Sequence, residues 1–102
     1  MNAGQFIGYV GDPDFHDGHV LGVAQEQDLV RVRVRGASGR EYAAEFRGVR
    51  AVRANHPEGM MIYALTEITA EPPLRRFIFN NWDQDDASYL EVQAEDVTVT
   101  AG

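Results

Sequence analysis

Apolar and polar side chains alternate along much of this chain, and glycine, proline, asparagine and aspartate interrupt the alternation at short intervals. A period of two is the pattern of a half-buried β-strand, because successive side chains point to opposite faces of the sheet. Many short alternating runs separated by turn residues predict an all-β domain. No long segment carries a 3.6-residue apolar stripe with both start and stop signals; the one helix expected is a short N-terminal one over residues 5–10.

The clearest element is a hairpin over residues 30–46. Val30, Val32 and Val34 alternate with Arg31, Arg33 and Arg35, and Tyr42, Ala44 and Phe46 alternate with Glu41, Ala43 and Glu45. Between them, Ala37-Ser38-Gly39 forms a three-residue loop with glycine in the left-handed position. Closing it with Gly36 opposite Arg40 places Val34 across from Tyr42, Val32 from Ala44 and Val30 from Phe46. The other face then pairs Arg35 with Glu41 and Arg31 with Glu45, and opposite charges across strands are mildly stabilising. Turn chemistry, apolar pattern and charge agree on one register.

Other strands are predicted over residues 19–25, with Leu21 and Val23 in the core and a turn near Gln27-Asp28, and over 48–53 after a glycine bend. Residues 60–68 and 74–80 form a further hairpin through Ala70-Glu71-Pro72-Pro73, with Leu65 opposite Phe77, Tyr63 opposite Phe79 and Glu67 opposite Arg75. Ile62, Ala64, Ile68 and Ile78 fall on one face of that pair, and Met61, Leu65, Phe77 and Phe79 on the other. Strands apolar on both faces are covered on both, by a second layer, a helix or a partner chain. Residues 88–93 and 97–100 complete the chain. The expected fold is mainly β: an antiparallel meander of about seven strands forming a bent sheet, sandwich or open barrel.

Length makes this one domain, 1–102, because 102 residues sit near the modal domain size. An apolar share of 44% is that of a globular chain. Cysteine is absent, which removes disulfides, thiolate metal sites and cysteine nucleophiles. No apolar run is long enough to span a membrane and the first residues lack a signal-peptide pattern, so the expected location is cytoplasmic.

The net charge of −7 opposes general affinity for nucleic acid or anionic membranes. Seven of the nine basic residues lie between Arg31 and Arg53 beside only Glu41 and Glu45, so that stretch carries +5 and the remainder −12. The Arg31, Arg33, Arg35 ladder has the outline of a phosphate footprint. Same-face arginines repel by about 0.6 kcal/mol at about 7 Å in bulk water, and Glu41 and Glu45 offset this. Without exposed aromatics for stacking or a net basic domain, a salt-bridged, solvated face is the better reading.

Two segments concentrate chemically able side chains. Asp12-Pro13-Asp14-Phe15-His16-Asp17-Gly18-His19 holds two imidazoles and three carboxylates, and His16, Asp17 and His19 are the candidate ligands or acid–base groups. Their spacing fits no specific metal motif. A structured turn accounts for the same residues, with Asp17 capping backbone amides, Gly18 at positive φ and Phe15 anchored in the core. Trp82-Asp83-Gln84-Asp85-Asp86 starts like a calcium loop, but Ser88 stands at the glycine position, which rules that loop out. An acidic loop with Trp82 packed beneath it is the plain reading. If Trp82 is exposed, Trp82, Asp83, Asp85 and Asp86 become a protein-binding patch. No nucleophile elbow or phosphate-cradling glycine loop is present, and no cofactor is expected.

Asp14-Phe15-His16-Asp17-Gly18-His19-Val20-Leu21, then two strands and Phe46-Arg47-Gly48-Val49, resembles a loose group of small bacterial proteins. These open on a Phe-His-Asp motif, continue as a β-meander with a Phe-x-Gly-Val step and end in an acidic strand. The segments 60–68 and Tyr89-Leu90-Glu91-Val92 fit the same outline. Some of that group are regarded as immunity proteins against bacterial toxins, and the resemblance implies a β-rich fold without a settled activity.

The sequence thus points to a non-enzymatic protein-binding module with an immunity-type or regulatory role, whose acidic surface suits a basic partner. The alternatives are a small metal-dependent or acid–base enzyme using His16, Asp17 and His19, and a structural homo-oligomer. A homodimer covering the second apolar face of residues 60–79 is the expected assembly.

Overall fold

A computed structural model describes residues 5–102 of the chain. The described residues form nine antiparallel strands and almost no helix. They are β1 (Phe6–Tyr9), β2 (Gly18–Glu26), β3 (Leu29–Arg35), β4 (Glu41–Arg47), β5 (Ala51–Asn55), β6 (Met61–Ile68), β7 (Arg75–Asn81), β8 (Tyr89–Ala94) and β9 (Asp96–Ala101), with one 3₁₀ turn at Pro13–Phe15. The strand order is β5-β8-β7-β6-β2-β3-β4-β9, with β1 also on β6. The mainly antiparallel β class stands, with nine strands in place of about seven.

The β3–β4 hairpin has the expected register throughout, from Arg35 opposite Glu41 to Val30 opposite Phe46. Gly39 sits at φ 93° and donates its N–H to the Gly36 carbonyl at 2.9 Å, closing the three-residue loop. Val30, Val32, Val34, Tyr42, Ala44 and Phe46 are all buried. On the outer face Arg31 meets Glu45 at 2.6 Å, Glu45 also holds Arg47 at 2.9 Å, and Arg35 reaches Glu41 at 3.4 Å. The arginine ladder is a salt-bridged sheet face.

A corner joins the two ends of the strand order. Strands β4 and β9 pair along their length, and so do β5 and β8, so β4–β5 and β8–β9 run as one antiparallel ribbon. The ribbon turns at Gly48 (φ 68°), where Glu95 N–H donates to the Arg47 carbonyl and Arg50 N–H to that of Gln93, both at 2.9 Å. Strands that change direction at such a bend make the corners of packed sheets. The bend brings the inner face of β4 onto β7: the Phe46 ring lies 5.3 Å from Phe77 and 5.9 Å from Phe79. Leu65, Leu90, Val92 and Ile62 complete the buried core around these rings.

Four expectations need correction. The segment 5–10 holds a strand, Phe6–Tyr9, and no helix: β1 pairs with β6, Phe6 opposite Ile68 and Tyr9 opposite Thr66. Gln5 and Thr69 extend that pairing by exchanging hydrogen bonds, Gln5 N–H to Thr69 Oγ1 and Thr69 N–H to the Gln5 carbonyl, both at 2.9 Å. Aromatic and β-branched residues on an unfilled sheet edge outweigh the weak helical signal. Second, early β2 turns Val20 into the core in place of Leu21, because a bulge falls between Val20 and Gly22, while Val23, opposite Val32, packs against the core as expected.

Third, the β6–β7 hairpin is displaced by two residues, with Leu65 opposite Phe79, Glu67 opposite Phe77 and Ile68 opposite Arg76. A displacement of two leaves every side chain on its face, so alternation cannot detect it. The turn decides: Glu71 through Leu74 closes on itself, Leu74 N–H donating to the Glu71 carbonyl at 3.0 Å. Glu67 still reaches Arg75, through paired 2.9 Å hydrogen bonds. Fourth, a bulge between Ile62 and Ala64 turns Ile62 inward beside Leu65 and turns Tyr63 outward. The inner face of β6–β7 is covered by the chain itself, through Phe46 of β4, whereas Tyr63 and Met61 on the outer face are exposed.

Candidate functional site

The segment before β2 is built as a turn, but not by the residues expected. Asp12 accepts the Asp14 N–H at 2.8 Å and caps the 3₁₀ turn. Phe15 is buried, its ring 5.2 Å from that of Tyr42. The Asp14 carboxylate crosses to the β3–β4 loop, where it accepts Ser38 Oγ–H at 2.6 Å, Ser38 N–H at 3.0 Å and Tyr42 O–H at 3.1 Å. The Ser38 hydroxyl, above all, holds this carboxyl below its ordinary value, helped by Ser38 N–H, Tyr42 and Arg40. Asp17, expected as the cap, accepts no backbone N–H, and it occupies the left-handed region itself (φ 68°). Gly18 serves close approach, not positive φ: a Cβ there would lie 2.6 Å from the Arg35 carbonyl oxygen and 3.0 Å from that of Phe15.

Asp17 N–H donates to the Ile62 carbonyl at 3.0 Å, which seats the turn on β6. Its conformation sends the His16 and Asp17 side chains outward, where they meet residues from two other elements. The His16 ring lies 4.9 Å from Tyr63 and 5.7 Å from Trp82, and those two are 5.5 Å apart at 90°. Trp82 Nε1–H donates to the Asp17 carboxylate, and Trp82 N–H donates to the Met61 carbonyl at 3.0 Å. The two sequence candidates, the Phe-His-Asp turn and the tryptophan of the acidic loop, are one cluster.

Trp82 is 42% exposed, so it is not packed beneath its loop. Beyond it the loop is a ladder of short turns. Asn81 Oδ1 accepts Asp83 N–H at 2.8 Å, Asp83 Oδ1 accepts Asp85 N–H at 2.9 Å, and Asp86 Oδ1 accepts Ser88 N–H at 3.2 Å. Asn81 Nδ2 donates to Asp86 Oδ2 at 3.1 Å, and this bond leads the lowering of the Asp86 carboxyl. Asp83, Asp85 and Asp86 are all exposed. They present a fixed acidic edge beside Trp82.

His19 does not join the cluster. It lies on β2 opposite Met61 and Arg35. His16 Nε2 is 3.9 Å from Asp17 Oδ1, and among the described residues no three histidines or acidic residues converge on one ion-sized space. The arrangement offers aromatic faces and carboxylates.

Three residues absent from the sequence candidates complete the surface. Tyr9 is 65% exposed, Phe6 58% and Tyr63 42%, and the Phe6 and Tyr9 rings are 5.2 Å apart. With Trp82, Ile68 and Ile78 they line an open groove of about 500 Å³, edged by Asn80 and Gln84. On the other side of Tyr9 and Tyr63 lies a smaller hollow of about 250 Å³, reaching Asp12, Pro13, His16 and Leu65. Among the described residues, no arginine lines either. The sequence signal was there in part: apolar residues on the second face of residues 60–80 had no assigned cover.

No protein-family model, curated protein or solved structure matches the chain.

Proposed function

We propose that this protein is a binding module whose aromatic groove and adjoining acidic loop hold a basic protein partner. The observation that carries the proposal is the exposure of Phe6, Tyr9, Tyr63 and Trp82 around one groove. Isolated exposed apolar residues are ordinary, but a contiguous set rimmed by polar groups marks an interaction surface. Tyrosine and tryptophan are also the side chains that most often dominate binding energy. Asp83, Asp85 and Asp86 beside the groove, on a chain of net charge −7, favour a partner of opposite sign and raise its rate of encounter. An immunity-type or regulatory role, with a basic protein such as a nuclease toxin as partner, is the form suggested by the Phe15-His16-Asp17 resemblance. Homo-oligomerisation through the same face is less favoured, since a like-for-like interface gathers two acidic loops at one contact.

The test compares wild-type protein with a Trp82→Ala/Tyr63→Ala variant as immobilised baits in lysate of the native host. A basic protein should be retained by the wild type, released by moderate salt and lost from the variant, with circular dichroism unchanged. For the purified pair, Trp82→Ala should cost about 2 kcal/mol or more in binding, the scale of an interface hot spot. Identical sets of captured proteins on both baits would refute the proposal.

A further inference from the structure

The hollow beside the groove has a chemistry of its own. Resting on the reading of this face as a protein-binding surface, we infer that the hollow lined by Tyr9, Asp12, His16 and Tyr63 seats one arginine side chain of the partner.

Size comes first. At about 250 Å³ the hollow is smaller than the roughly 300 Å³ at which small-molecule pockets begin, so it suits a single side chain. Its lining is mainly apolar, and Tyr9, Tyr63 and His16 bring three rings to it. An apolar, aromatic lining accepts a flat, weakly hydrated group, and a guanidinium combines that shape with a charge attracted to ring faces.

The carboxylates of the turn then discriminate among cations and neutral groups. Asp14 is occupied by Ser38 and Tyr42, and Asp17 by the Trp82 indole. Asp12 spends one oxygen on the Asp14 N–H and lines the hollow with acceptor capacity remaining. A carboxylate at the edge of an aromatic recess matches the donor fork of arginine better than the compact, strongly hydrated ammonium of lysine. Charge agrees, since among the described residues no basic side chain other than His16 lines the recess. Tyr9 and Tyr63 border both spaces, so the arginine would enter beside whatever apolar residue of the partner fills the larger groove.

The inference is tested on the full chain, ¹⁵N-labelled, by titration with the capped tripeptides acetyl-Gly-Arg-Gly-amide, its citrulline analogue and its lysine analogue. Citrulline keeps the shape of arginine and removes the charge. The arginine peptide should shift the amides of Tyr9, Gly11, Tyr63 and Ala64 saturably, with citrulline and lysine at least about fivefold weaker. Asp12→Asn should weaken the arginine peptide about tenfold, on the scale of a lost charged hydrogen bond. Asparagine caps a turn as well as aspartate, so this variant keeps the fold; Tyr9→Ala, on the exposed strand, is the second variant and should weaken binding similarly. Equal response to citrulline, equal response to lysine, or shifts confined to Asp83–Asp86 would each overturn the inference. A partner still captured by the wild-type bait and lost from the Trp82→Ala/Tyr63→Ala bait would then leave the binding face standing without its arginine seat.

Discussion

Gly18 is where the turn before β2 is fastened to the sheet, and replacing it by alanine tests how tightly. A Cβ at Gly18 would lie 2.6 Å from the Arg35 carbonyl oxygen, 3.0 Å from that of Phe15 and 3.3 Å from Gly36 Cα. All three obstacles are backbone, held by the β2–β3 ladder and the 3₁₀ turn, so none can swing aside as a side chain would. Overpacking a rigid site costs about 1–3 kcal/mol, and the approach to a carbonyl at this distance puts Gly18→Ala near the upper end. For a domain of this size, about 3 kcal/mol corresponds to a fall of roughly 12 °C or more in the melting midpoint. The control is Gly22→Ala in the same strand, where a Cβ would find only Arg33 Nη1 and Glu58 Oε2, both at 3.8 Å. That substitution should be neutral or stabilising by a few tenths of a kcal/mol. Thermal and urea melts followed by circular dichroism and by fluorescence of Trp82, the sole tryptophan, measure both. The fluorescence of the folded Gly18→Ala protein should also change, because Asp17 moves with its neighbour and holds the indole. A Gly18→Ala midpoint within about 2 °C of wild type, or an equal loss in Gly22→Ala, would refute the reasoning.

Three further outcomes follow from the same geometry. Gly39→Val forces a β-branched residue to φ 93° in open space, so the loss, about 1–2 kcal/mol by urea melt, is conformational alone. Glu67→Gln removes the charge that faces Arg75 across two 2.9 Å bonds while keeping the shape; because Arg75 remains 36% exposed the loss should be only about 1–2 kcal/mol, read from the same melts. Asp14, Glu45 and Asp86 have carboxyls lowered in the folded state, by the Ser38 hydroxyl, Arg31 and Asn81 respectively, so their stabilisation is full only above about pH 5, clear of the unfolded values, and is lost as pH falls through the lowered ones. The melting midpoint should therefore drop below about pH 5, and Asp14→Asn should make that drop shallower; an unchanged acid profile in Asp14→Asn would count against the Ser38 and Tyr42 contacts.

The legible part of the fold is the part where independent signals coincide. For β3–β4 the loop glycine, the valine alternation and the Arg–Glu pairs each demand one register, and any displacement breaks at least one of them. In β6–β7 alternation stood alone, and a displacement of two residues satisfies it equally well. Bulges at Leu21 and Tyr63 defeat alternation in another way, since one extra residue reverses which side faces inward from that point on. Ile62 therefore joined the core and Val20 displaced Leu21, although nothing in the local composition marks an inserted residue. Strand β1 was hidden because Gly8 interrupts its short run, and its stability comes from an edge of β6 that exists only once the sheet is assembled.

The candidate site was legible in pieces and illegible as a whole. Sequence reasoning singled out His16 and Asp17 on one side and Trp82 with its aspartates on the other, as competing explanations of function. What unites them is register: Gly18 pairs with Ile62, and Ile62 pairs with Asn81. Given those two pairings, Asp17 falls beside Tyr63 and Trp82 beside Met61, and the outward rings of Tyr63, His16 and Trp82 then meet across the three strands. The β2–β6 joint is only two residue pairs long, with no turn to announce it. The same register also bears on the competing chemistries. It places the indole N–H on Asp17, the carboxylate a metal at His16 would need, and carries His19 away along β2 opposite Arg35. Once that joint forms, aromatic faces lie open where ligating groups were counted, and it is on those open faces that the proposed binding role rests.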